Sequence, residues 1–411
     1  MSQIRNMSQS KNTLAKLVVL LTVLSMALPV QAASADLEQE FDVSAGGMLT
    51  LNSDAGPIEV ETWDQDRVRV NVRNPGDFEV VFDQVGNNVI VTAESERGGF
   101  FGLRGLGGRS RIGFRVQVPV NFNLELGTGG GRIEVSDITG SVNADTSGGR
   151  IDVGNVTQGT VRADTSGGAI TVGDVEGDVF ADTSGGRITI GNVTGNVRAD
   201  TSGGSIEIGN ATGDITADTS GGNIRVGEAG GRVGLDTSGG TIRAAWAEGP
   251  ISADTSGGNI FLAGSATRVE ADTSGGNIEI EASTGPVVAD TSGGRIEIRN
   301  ASASIEADTA GGSIDAELVN VPDGVRATVN LDTAGGDVTI RIPANHAATV
   351  RANLDVSRRA RRDYRIYTDF PLTIREDDDG DIIGEGDING GGDRITLEVT
   401  NSDIHILSTG N

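Results

Sequence analysis

Eleven aspartates are spaced along this 411-residue chain so regularly that their carboxylates invite a chemical reading. Each opens an Asp-Thr-Ser/Ala-Gly-Gly run, at Asp145, Asp164, Asp182, Asp200, Asp218, Asp236, Asp254, Asp272, Asp290, Asp308 and Asp332. The first interval is 19 residues, the next eight are 18, and the last is 24. Carboxylate catalysis needs one pair whose environments push the pKa values apart. Near-equivalent copies supply no such pair, so no catalytic residue is assigned. If like positions stack at the strand spacing of ~4.8 Å, neighbouring carboxylates repel by about 1 kcal/mol in water and more where poorly solvated. The column must then be exposed, hydrogen-bonded or neutralised. Asp before Thr-Ser-Gly-Gly suits an Asx-turn, its carboxylate accepting a backbone N–H two residues on. That structural reading is preferred to a cation-binding ladder.

Other candidate chemistry is sparse. There is no Cys, which removes disulfides, zinc-thiolate sites and a thiol nucleophile, and His346 and His405 are the only histidines. The calcium-binding β-roll also uses 18 residues per coil. Here, however, Gly-Gly is followed by polar-Ile-polar-Ile, as in Asn277-Ile278-Glu279-Ile280, and the Gly-x-Asp ligands are missing. Residues 376–381 place Asp377, Asp379 and Asp381 at alternate positions like a calcium loop, but Ile382 stands where the loop needs Gly and Ile388 where it needs Glu. A solvated acidic loop is expected, and no metal, cofactor or site residue is assigned. The Gly-rich stretch 98–109, with Phe100, Phe101 and Leu103, reads as a hairpin tip, with a membrane- or partner-contacting loop as the alternative. The basic run at Arg358, Arg359, Arg361 and Arg362 either pairs with nearby acids or grips an anionic glycan or lipid.

The elements that carry these residues follow from the period. A repeat of 18 over some two hundred residues marks a solenoid. Three residues before each Asp stands Val or Ile, one before stands Ala except at Leu235 and Leu331, and six after stands Ile except at Val338. These columns alternate with polar residues, giving two short strands of period two per turn with one apolar face inward. The expected fold is all-β, a single-stranded-type parallel β-solenoid of about 18 residues and two strands per turn. The Gly pair is expected to supply positive φ for one reversal. The Gly-Asn-Val-Thr-Gly-Asn type of loop, as at 191–196, makes the other. Four regions result: a signal peptide at 1–32, an N-terminal β region with degenerate turns at 36–126, regular repeats at 127–345, and a C-terminal capping region at 346–411 that holds the acidic Gly-rich loop.

Arg5, Lys11 and Lys16, the apolar run 17–28 and the small residues before Ala32 read as an export signal. The run is too short for a transmembrane helix, so no integral membrane segment is expected in the mature chain. Cleavage after Ala32 leaves 29 basic residues, all Arg, against 58 acidic ones, a net −29. So negative a chain is not expected to bind nucleic acid. A periplasmic, cell-surface or secreted location is expected.

Val116-Gln117-Val118-Pro119-Val120, the Gly-Gly-polar-Ile turns, Thr368-Asp369-Phe370-Pro371-Leu372 and the run Gly390-Gly391-Gly392-Asp393-Arg394-Ile395-Thr396-Leu397 resemble the bacterial DUF4097 family, the adhesin-type or toast-rack proteins. The resemblance implies a parallel β-solenoid of the cell envelope and brings no family active site. This chain departs in the length and regularity of its Asp-Thr-Ser-Gly-Gly run. The function expected is an exported, non-enzymatic adhesin or envelope scaffold that binds a surface glycan or an envelope protein. Alternatives are a polysaccharide-active β-helix enzyme, disfavoured because the turns read as too short to build a groove, and a calcium-stabilised surface repeat protein. An ice-binding rod is disfavoured because the Thr column shares the parity of the inward Ala.

Overall fold

The computed structural model describes residues 36–95, 112–322, 324–357, 363–378 and 380–409. The export signal, the Gly-rich stretch 98–109 and the basic run 358–362 lie outside them. Val-x-Ala-Asp-Thr forms one strand of each turn, as at Val142–Thr146 and Val179–Thr183. Ile-x-Val/Ile forms the other, as at Ile151–Val153 and Ile188–Ile190. Period two sends Val, Ala and Thr of the first strand inward and Asp outward. Consecutive turns pair in parallel and in register. Asp145 lies beside Asp164 and Asp164 beside Asp182, while Ile151, Ile170 and Ile188 stack in the facing sheet. The parallel β-solenoid expected from the period is the fold observed, and the buried columns join in one continuous core.

In one turn a paired exchange conserves packing volume. Leu235 replaces Ala in the turn where the facing-strand position has shrunk to Ala244, and both are buried.

A third ladder joins the two sheets. Val156, Val175, Val193, Ala211, Ala229 and Ala247 pair one above another across the second reversal, one residue wide. Their side chains turn inward and are at most 5% exposed. The loop of the Gly-Asn-Val-Thr-Gly-Asn type is therefore a third narrow face as well as a reversal.

At both ends the chain is interleaved. Gly47–Ser53 lies between Asn88–Ser95 and Phe122–Thr128, and Ile58–Trp63 lies between Gly113–Pro119 and Ile133–Val135. At the other end Asp393–Thr400 sits between Val329–Thr333 and Ala348–Asp355. The stretch 395–406 thus lies inside the C-terminal cap, beneath Ala348–Asp355 in one sheet and Ile366–Thr368 in the other. Antiparallel strands finish both ends: Phe78–Val85 with Asn88–Ser95, and Thr373–Glu376 with Ile382–Ile388. These hairpins cover edges that would otherwise template pairing with another chain.

Candidate binding groove and the repeated faces

The Asp-Thr-Ser-Gly-Gly corner is held by its Thr. In all eleven copies Thr Oγ1 donates to the carbonyl of the second Gly one turn below, from Thr146 on Gly131 at 2.8 Å to Thr333 on Gly312 at 2.7 Å. These threonines are between 1% and 7% exposed, so their hydroxyls form a buried polar ladder in which every member is paired. Among the described residues, the Asp carboxylates of the column accept no backbone N–H, and the expected Asx-turn is not formed. The inward Thr takes a corner N–H instead, its Oγ1 accepting from the second Gly of its own turn, as from Gly149 to Thr146 at 3.4 Å, while the Asp side chain points outward.

The Gly pair also differs from expectation, since neither member has positive φ. The second Gly is needed for close approach. A Cβ at Gly149 would meet the Gly131 oxygen at 1.9 Å, and at Gly276 the Gly258 oxygen at 1.8 Å. The first Gly has room, with nothing within 4 Å of a Cβ at Gly148.

Outside this corner runs the Asp column. Burial raises the Asp182 carboxyl above its ordinary value, Asp164 and Asp200 add repulsion, and Arg198 partly opposes them. Arg198 pairs with Asp200 at 2.8 Å. Burial also raises Asp218, helped by a hydrogen bond with Asp200. Asp164, Asp254, Asp272, Asp290, Asp308 and Asp332 shift the same way, with burial the largest cause. Among the described residues no group of three or more His, Cys, Asp or Glu is placed to hold a metal ion. In the acidic loop, Asp377 accepts the Asp381 N–H at 3.0 Å, and Asp381 accepts the Val356 N–H at 3.0 Å. Asp379 lies outside the described residues.

The third face carries an open groove of about 720 Å³ that runs from Asn155 to Glu248. Short turns were expected to build no groove. One forms because residues on either side of the inward Val/Ala position point outward, and stacking six levels turns each pair of flanks into two walls. One wall is Asn155, Asp174, Asn192, Asn210 and Glu228; the other includes Thr157, Glu176, Thr194, Thr212 and Glu248. The first wall is fixed by its own ladder. Asp174 N–H donates to Asn155 Oδ1 at 2.9 Å, Asn192 N–H to Asp174 Oδ1 at 2.7 Å, and Glu228 N–H to Asn210 Oδ1 at 2.8 Å. The floor is peptide backbone whose polar groups are paired along the axis, as in Val175 N–H to Asn192 O at 2.8 Å and Glu176 N–H to Val156 O at 2.8 Å.

Trp246 closes one end. Its Nε1 donates to Glu248 Oε1 at 3.2 Å. Its neighbour one turn on is Gly264, where a Cβ would lie 3.1 Å from the indole. Of these groove residues the sequence marks only Asn192, Val193 and Thr194, and those as part of a reversal rather than as a site. The signal available was the second column, Val156, Val175, Val193, Ala211, Ala229 and Ala247, which keeps the same 18-residue beat after its first step.

In-register turns, a buried hydroxyl ladder and an axial groove define a parallel β-solenoid of the toast-rack class. The chain belongs to the Toastrack DUF4097 family, whose model matches residues 47–254. No curated protein matches the sequence. Three solved structures are similar at low identity. One is a "putative cell adhesion protein" from Clostridium sporogenes, 8% identical, covering 91% of this chain and 100% of its own with a TM-score of 0.18. Another is a "putative lipid binding protein" from Parabacteroides distasonis, 16% identical, covering 72% and 96% with a TM-score of 0.22. The third is a "putative adhesin" from Bacteroides fragilis, 11% identical, covering 69% and 98% with a TM-score of 0.18. Superpositions this loose leave function to be argued from this chain's own surfaces. Among the described residues no helix is long and apolar enough to cross a membrane.

Proposed function

We propose that this protein is an exported, non-enzymatic scaffold of the cell envelope or cell surface that holds a polymer or a surface partner through many weak, repeated contacts. The observation that carries this reading is the groove, whose walls and floor recur in register over six successive turns. A polymer laid along the axis would meet amide, carboxylate or hydroxyl groups at successive steps, and weak contacts made together give avidity without any single strong one. The signal-like residues 1–32 and a net charge of −29 after their removal support export and disfavour anionic partners. The periplasm, the cell surface and the medium are all compatible locations.

A second reading is favoured by one observation. Asp174 and Glu176 flank Val175 on opposite walls of the groove, and two carboxylates astride a polysaccharide are the equipment of a glycoside hydrolase. The experiment is to incubate the mature chain with envelope fractions and purified polysaccharides, measuring retention together with reducing ends and unsaturated sugars. Retention without new ends is expected. New ends that disappear in Glu176→Gln would replace the scaffold with an enzyme.

A further inference from the structure

We infer that the groove from Asn155 to Trp246 is the binding site for one extended strand of an uncharged polysaccharide with flat, equatorially linked pyranose rings. This rests on the scaffold reading above and names its ligand and its face. Four features select the occupant.

First, the floor offers no edge. The N–H groups of Val175, Glu176 and Ala211 are bonded between turns, to Asn192 O, Val156 O and Glu228 O. A peptide strand recognised by backbone pairing needs free N–H and C=O groups, so the floor suits a ligand that lies flat on it through C–H contacts. Second, the charged residues lining the groove are Asp174, Glu176, Glu228 and Glu248, with no Lys or Arg among them. Nucleic acid and anionic glycans would be repelled.

Third, the walls repeat at the turn spacing of ~4.8 Å. Each ring of an extended 1,4-linked chain advances by a similar step, so each ring could meet one level of amide, carboxylate or hydroxyl at its edges. The Asn155–Asn210 wall is held in place by its Oδ1 bonds to backbone N–H groups. The Nδ2 donors of Asn155 and Asn210 carry no partner among the described residues, and both side chains line the groove with their Oδ1 ends fixed in advance of binding. Fourth, one of the chain's two Trp residues stands at the end of this track, its indole N–H tied to Glu248. An aromatic face there would stack on the terminal ring, as apolar sites with a few fixed polar groups commonly do.

The test is affinity gel electrophoresis of the mature chain in soluble β-1,4-glucan, β-1,4-xylan and, as an anionic control, polygalacturonate. Calorimetry with cello-oligosaccharides of increasing length accompanies it. The neutral polymers should retard the protein and polygalacturonate should not, and affinity should rise with oligosaccharide length. Trp246→Ala should weaken binding roughly tenfold, while Trp246→Phe stays near wild type. Phe180→Ala, an aromatic change on a different face, should have no effect, and circular dichroism confirms that each variant is folded. If Trp246→Ala binds as wild type, or Phe180→Ala is equally impaired, the groove is not the site although the scaffold reading stands. If only charged polymers or envelope proteins are retained, the ligand class is wrong. If nothing is retained from any polysaccharide or envelope fraction, this inference and the scaffold reading both fail.

Discussion

Thr273 Oγ1 donates to the carbonyl of Gly258 at 3.0 Å, and that same oxygen lies 1.8 Å from where a Cβ on Gly276 would sit. One carbonyl thus fixes two columns of the repeat, a hydroxyl that must reach it and a glycine that must avoid it.

Thr273→Val keeps shape and β-branching but removes the donor. It strands the Gly258 carbonyl and the Gly276 N–H, which lies 3.2 Å from the same hydroxyl, in a dry corner. A loss of about 1–3 kcal/mol is expected, read as a lower denaturant midpoint because long repeat arrays need not unfold in two states. Thr273→Ser should recover most of it. Equal losses for Val and Ser would show that packing, and not the hydrogen bond, matters.

The two glycines of one pair should behave oppositely. Gly275→Ala has room, with its nearest contact 3.9 Å away, and by restricting the unfolded chain it should be neutral or stabilising by up to about 1 kcal/mol. Gly276→Ala must push two turns apart and should lower the midpoint severely. Indistinguishable midpoints for the two variants would contradict the close-approach account.

Acidification should first stabilise the rod. Asp164, Asp182, Asp218, Asp254, Asp272, Asp290, Asp308 and Asp332 have folded-state pKa values raised above 3.8 by burial and like charge. The folded state therefore binds protons more readily, and stability rises as pH falls from neutral through those raised values toward 3.8. Glu40 and Glu59 act in the opposite sense. Hydrogen bonds from Arg69 and Arg67 lower Glu40. Burial pushes Glu59 up, but Arg132 and Arg115 outweigh it. Their contribution is lost only as pH falls below 4.5 through their lowered values. Thermal midpoints across this range should pass through an acidic maximum, and Asp272→Asn should raise the midpoint at pH 7. A midpoint that falls steadily from pH 7 downward would refute the repulsive column.

The parts of this fold legible in sequence are those written in a period. Ile278, Ala271 and Thr273 point inward because parity alone demands it, and all three are buried. The Asx-turn at Asp272 and positive φ at Gly276 were misjudged for a common reason. Local rules describe an isolated turn, whereas here Thr273 reaches a carbonyl one coil below, Gly276 is pressed against that same carbonyl, and Asp272 is left facing outward. The groove was hidden likewise. Asn192 and Thr194 look like residues of an ordinary reversal until identical reversals are stacked and their outward side chains become walls. The interleaving of Asp393–Thr400 beneath Ala348–Asp355 and of Ile404–Thr409 beneath Ile366–Thr368 has no sequence signal, because any Val- or Ile-rich strand fits any layer.

The most direct test of the central claim, that function lies in one surface repeated along the axis, is to excise residues 182–217 and titrate the polymer that the intact protein retains. This joins Ala181 to Asp218 in register and keeps Trp246. The rod should shorten by about 10 Å, with the circular dichroism signal per residue unchanged and affinity lowered by a modest factor as two of the six groove levels disappear. Complete loss of binding with the fold intact would place function in a single discrete site and contradict the account.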